Sequence, residues 1–107
     1  MKIKYEGYNI PEIDIEENIT AGVKTKIGTA EQYDNIMELT KLSGIFQVNC
    51  LIGNVAMGGT CLVNRPSEDY IDFGCVCNFQ YTPTVVAGTM EKDASYCYVT
   101  LTITTLS

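Results

Sequence analysis

The five cysteines, at positions 50, 61, 75, 77 and 97, have the widest chemical reach of any residues in this 107-residue chain. Cys75-Val76-Cys77 is a C-x-C pair, and an extended strand aims both thiols at one face. A tetrahedral zinc site would need a second cysteine pair or histidines to complete its ligand set. The chain has no histidine, and no second pair lies close in sequence. Each cysteine also falls on the apolar parity of its strand, beside Val48, Val63, Phe73, Phe79 or Val99. Free cysteine behaves there as a small buried hydrophobe, so the pattern favours inert, reduced core thiols over disulfides or metal and redox chemistry.

Other chemistries find less support. Without histidine there is no Ser-His-Asp or Cys-His machinery and no general base poised at neutral pH. Glycines at 28, 58 and 59 do not form a phosphate loop, because none belongs to a glycine-rich strand-to-helix turn. Glu12, Asp14 and Glu16 could offer oxygens to calcium, but no glycine-bearing calcium loop surrounds them. Alternation along a solvated strand explains the same spacing. No pair among the 13 acidic residues is singled out for glycoside chemistry. The expectation is a protein that is not an enzyme, with no catalytic, cofactor-binding or metal-ligating residue.

Composition narrows the partners. A net charge of −6, with seven scattered basic residues, is the wrong balance for a phosphate-backbone binder, so no nucleic-acid partner is expected. No apolar run approaches the length needed to cross a bilayer, and Met1-Lys-Ile-Lys-Tyr-Glu6 does not open like a signal peptide. Cytoplasmic synthesis without a membrane partner is the expectation.

The elements that position these residues are mostly strands. Tyr70–Thr82 alternates Ile71, Phe73, Cys75, Cys77, Phe79 and Tyr81 against Asp72, Gly74, Val76, Asn78, Gln80 and Thr82. That period of two predicts a half-buried, near-central strand ending at Pro83. A short strand over 84–89 and a loop over 90–95 follow. The N-terminus reads as a hairpin turning at Glu6-Gly7, then an alternating acidic strand, then a strand from Ile19 to Ile27 ended by Gly28. Thr29 and Gln32 form a capping box for one helix, with Ala30, Tyr33, Ile36, Met37 and Thr40 on its apolar side, widened by Leu39 and Leu42. Ser43-Gly44 stops it. Phe46, Val48, Cys50 and Ile52 form the inner face of the next strand, which turns at Gly53-Asn54. The return strand, 55–63, meets a bulge or a close approach at Gly58-Gly59. Cys97, Val99, Leu101 and Ile103 alternate along the last strand. The predicted fold is one α+β domain over 1–107: a single helix packed on an antiparallel β-sheet or small β-sandwich of roughly six to eight strands.

Tyr96, Tyr98 and Thr100 occupy the opposite parity of that last strand, and Tyr96–Leu106 carries no charge and no proline. An uncharged strand must lie inside the sheet, be covered, or pair with another subunit. These three residues are therefore the candidate interface.

Two segments extend this reading. Thr29–Gly44 with its following strand and Gly-Asn hairpin, and the closing Tyr96–Thr104, together resemble small virion-surface proteins of tailed phages and prophages, such as head-fibre heads and auxiliary capsid (decoration) proteins. The resemblance implies a structural protein assembled on a capsid or fibre, often as a trimer or on a symmetry axis. The expected partners are further copies of the chain (a homo-oligomer) and capsid or fibre proteins. The alternative is a small acidic inhibitor or regulator that binds a host protein, its carboxylates mimicking nucleic acid.

Overall fold

A computed structural model describes residues 1–5 and 10–106. The described residues form β1 (Lys2–Lys4), β2 (Glu12–Ile19), β3 (Thr25–Thr29), α1 (Ala30–Ser43), β4 (Ile45–Ile52), β5 (Val55–Asn64), β6 (Tyr70–Phe79), β7 (Thr82–Lys92) and β8 (Tyr96–Thr105). All strands belong to one sheet in the order β1-β2-β4-β5-β6-β7-β8-β3. The α+β expectation stands in this form: one helix and a single curled, mostly antiparallel sheet, where a sandwich had been the alternative. One pair departs from antiparallel order. β2 and β4 run parallel, because β3 and α1 carry the chain across between them.

The helix forms where its signals stand. The Thr29 side chain accepts from the Gln32 amide at 3.1 Å, and the Gln32 side chain accepts from the Thr29 amide at 3.0 Å. Gly44 ends it at φ 68°, where a side chain would be strained. Tyr33, Ile36 and Thr40 are buried, and the helix lies against β3, β4, β7 and β8. The Tyr33 hydroxyl donates to the Glu68 carbonyl at 3.1 Å. Burial first, then the neighbouring Cys97 and two aspartates, pushes that phenol up to about 12. Leu42 does not join the apolar side: it is exposed, two residues or roughly 200° around the helix from the buried Thr40.

Strand alternation places the core on the concave side. Phe46, Val48, Cys50 and Ile52 are buried on β4, and Cys97, Val99 and Leu101 on β8. Phe46 and Phe73 meet edge to face with centroids 5.1 Å apart. β6 lies between β5 and β7, as a near-central strand should.

Four expectations need correction, and one pair of alternatives is decided. Ile19–Ile27 is not one strand: Ile19 closes β2, Gly22 turns the chain at φ 81°, Val23 is half exposed, and β3 begins at Thr25 and runs through Gly28. The organising strand stops at Phe79, because Gln80 and Tyr81 take φ of 52° and 62° and close a two-residue hairpin. β7 then runs unbroken from Thr82 to Lys92, absorbing Pro83 and most of the predicted loop. No bulge interrupts β5 at Gly58-Gly59, where the ladder with β4 is continuous. Close approach is the reason for the glycine: a Cβ on Gly59 would stand 2.9 Å from Cys75 Sγ. Finally, β1 pairs with β2 beyond Pro11, from Lys4↔Glu12 to Lys2↔Asp14, rather than ending its pairing there; the Glu6-Gly7 turn and Tyr8 lie outside the described residues.

Candidate functional site

The thiols lie on the inner face, but unequally. Cys50, Cys61 and Cys97 are buried, whereas Cys75 and Cys77 are half-buried, so the fully buried expectation fails for the C-x-C pair. The reason is position: inner-face burial fades toward the β6–β7 hairpin, away from the helix. All five are free thiols. Burial, then Cys75, pushes Cys50 up to about 11; burial alone pushes Cys97 up to about 12; burial foremost also raises Cys61 and Cys77. Such groups stay protonated at neutral pH and make poor nucleophiles. A thiol reagent should therefore label the native protein slowly, reaching Cys75 and Cys77 first, and titrate five thiols after denaturation. Fast labelling of Cys50, Cys61 or Cys97, or fewer than five thiols, would contradict this arrangement. Among the described residues no group of three or more cysteine or acidic side chains is placed to hold a metal ion.

The acidic residues of β2 are engaged locally. Asn49 Nδ2 donates to Glu12 Oε1 at 3.0 Å and to Asp14 Oδ1 at 2.8 Å, while Lys4 Nζ lies 3.5 Å from Asp14 Oδ2. Asn49 first, then Lys4, holds the Asp14 carboxyl below its ordinary value. Glu16 faces the chain's amino terminus at 3.9 Å and Lys2 at 3.8 Å. This edge of the sheet thus carries alternating charges of both signs, and lysines on edge strands discourage further pairing.

Tyr96, Tyr98 and Thr100 all point to the outer, convex side. At Tyr96 and Tyr98 the strand is not an edge, because β3 pairs along β8 from Thr25↔Val99 to Thr29↔Tyr96. The unpaired-edge route to assembly is therefore closed over Tyr96–Val99, while β8 beyond Leu101 has no β3 partner among the described residues. Its face remains. Neither a second sheet nor the helix covers the two rings: Lys26 Nζ sits 4.3 Å from the Tyr96 centroid and Lys24 Nζ 4.7 Å from that of Tyr98. Each such contact contributes roughly 0.5–1 kcal/mol at an exposed site. Lys24 also reaches Glu91 Oε1 at 3.4 Å.

Asp93 organises the turn before β8. Its Oδ1 accepts from the amides of Tyr96 at 2.7 Å and Ser95 at 2.8 Å, and its Oδ2 accepts from the Tyr98 hydroxyl at 2.8 Å. Those donors, the Tyr96 amide foremost, hold the Asp93 carboxyl below its ordinary value. Because the folded value is depressed, whatever this turn adds to stability is complete above the ordinary aspartate pKa of about 3.9 and fades as pH falls below it. The same bond to Asp93 raises the Tyr98 phenol. Difference absorbance titration of wild type against Tyr98→Phe should show Tyr98 ionising later than an ordinary tyrosine, and Asp93→Asn should bring it back. An ordinary Tyr98 titration in both backgrounds would mean that the bond does not persist in solution.

The larger feature of this side is its lack of charge. All 20 charged residues lie outside 42–64, 73–90 and 94–107. β4 and β5 therefore carry none, and the outer face of β4–β8 holds Asp72 and Glu91 as its only charged residues. Leu62 is 73% exposed there and Val76 68%. Large apolar side chains grouped on a charge-poor surface mark an interaction site more often than a solvated face. The sequence holds this signal openly, but the expectation drawn from it reached only Tyr96–Leu106. Comparison with protein-family models, curated proteins and solved structures finds no match to the chain.

Proposed function

We propose that this chain is a non-enzymatic structural or interaction protein that assembles through the outer face of its sheet, in the manner of a capsid auxiliary or fibre-type component of a phage virion. The observation that carries the reading is the charge-poor outer face of β4–β8, with Asp72 and Glu91 its only charged residues, exposing Leu62 and Val76 at its centre and bordered by Tyr96 and Tyr98. A single helix packed on the inner side leaves this face free for partners. Those partners are further copies of the chain and capsid or fibre proteins. The acidic-inhibitor alternative rests on the net charge of −6, but Met1, Lys2, Lys4 and Asn49 break up the acids of β2 that a nucleic-acid mimic would display. Recovery of a nuclease or polymerase in a pull-down would favour it.

Light scattering across a concentration series, with co-sedimentation on purified phage capsids, tests the assembly reading. The expected result is an oligomeric mass or capsid binding, either one weakened by Tyr98→Glu in a variant that stays folded. A strictly monomeric wild type that ignores capsids would overturn it.

A further inference from the structure

The centre of the outer face has a shape as well as an apolar character. Strand register sets Leu62 opposite Gly74, Gly74 opposite Ala87, and Ala87 opposite Thr102. One row across four strands thus reads as a large side chain, none, a methyl group and a threonine. The large member stands in water and the small members leave a trough. One hollow of about 290 Å³ lies beside Leu62, Gly74 and Asp72. A second, of about 190 Å³, lies over Ala87 between Asp72 and Thr102. The only carboxylate near them is Asp72, and its Oδ1 already accepts from Thr89 Oγ1 at 2.9 Å.

We infer that this row is a self-complementary dimer contact, in which Leu62 of one copy seats in the Gly74–Ala87 trough of a second copy. The inference rests on the assembly reading above and names its partner and its central contact. Charge selects the occupant. A basic partner would need a cluster of acids on this face, and an acidic partner a cluster of lysines; the row offers neither. Two chains of net charge −6 repel wherever their charged edges meet, so the surface on which they approach at least cost is the one with fewest charges, where Asp72 and Glu91 stand alone. Geometry supports the same occupant. In a two-fold interface residue i meets j while j meets i, which requires a projection and a recess side by side on one surface. Leu62 and the Gly74–Ala87 trough are such a pair.

The test uses the full chain. Leu62→Glu and Ala87→Arg each place a charge on the outer face, and each should convert a dimeric wild type to monomer, with circular dichroism showing retained fold. An equimolar mixture of the two variants should regain the dimer mass, because one of the two crossed contacts then joins opposite charges and the other is unaltered. A wild-type oligomer whose mass neither variant changes would overturn this contact while leaving the assembly reading intact. A monomeric wild type whose capsid binding is lost in Leu62→Glu would overturn the second copy as occupant and assign the row to a capsid protein. A monomeric wild type without capsid binding would overturn both.

Discussion

Phe73→Ala is expected to destabilise the protein by about 3–5 kcal/mol, a loss comparable to the whole stability of many small domains. Phe73 is 4% exposed, packs edge to face on Phe46, and fills the space above Gly88. Removing the ring forfeits its burial and leaves a cavity bounded by strands that cannot close up independently. Asp72→Ala, one residue away on the outer parity, loses a hydrogen bond to Thr89 and should cost about 1 kcal/mol. Urea denaturation of both variants measures the contrast. Should Phe73→Ala prove too unstable to purify, Phe73→Leu gives the same ranking at smaller amplitude. Equal losses at 72 and 73 would mean that the two faces of β6 are not distinguished as described.

Gly88→Ala is expected to cost about 1–3 kcal/mol, although alanine suits a strand better than glycine does. A Cβ at this buried position would overlap Phe73 Cζ and stand 2.7 Å from Leu101 Cδ2. Those side chains are held by Phe46 and the neighbouring strands and have little room to retreat. The cost is thus steric, and it belongs to the pair. In a Phe73→Leu background the added methyl has more room, so the penalty should shrink by at least half. Residues in contact show such coupling, whereas distant ones add. A Gly88→Ala penalty of the same size in both backgrounds would place its cause elsewhere than against the ring.

The tyrosines illustrate a division between local and distant information. Sequence parity assigns Tyr96, Tyr98 and Thr100 to the face opposite Cys97 and Val99, and the structure keeps that assignment. It could not say that β3 returns to pair along β8, since that pairing joins residues roughly seventy positions apart and leaves no local mark. The lysines over the two rings follow from the same return. They share a strand parity in the sequence, but only the register brings them to the tyrosines.

What the sequence by itself determined are the features governed by near neighbours. The capping box at Thr29 and Gln32, the stop at Gly44, the inner faces of β4 and β8, and the Gly53-Asn54 turn all depend on spacings of a few residues. Backbone sterics and hydrogen bonding act at that range, so the residue types are sufficient. Tertiary structure decided the remainder. Gln80 and Tyr81 make a tight hairpin without glycine or asparagine, tolerating positive φ because the long β6–β7 ladder offsets the strain. The parallel pairing of β2 with β4, the vacancy at Gly59 filled by Cys75, and the curl that buries one face and leaves Leu62 in water arise from contacts between distant segments. Alternation separates two faces of a strand; only closure of the sheet around its core selects the outer one and sets Leu62 beside Gly74 and Ala87.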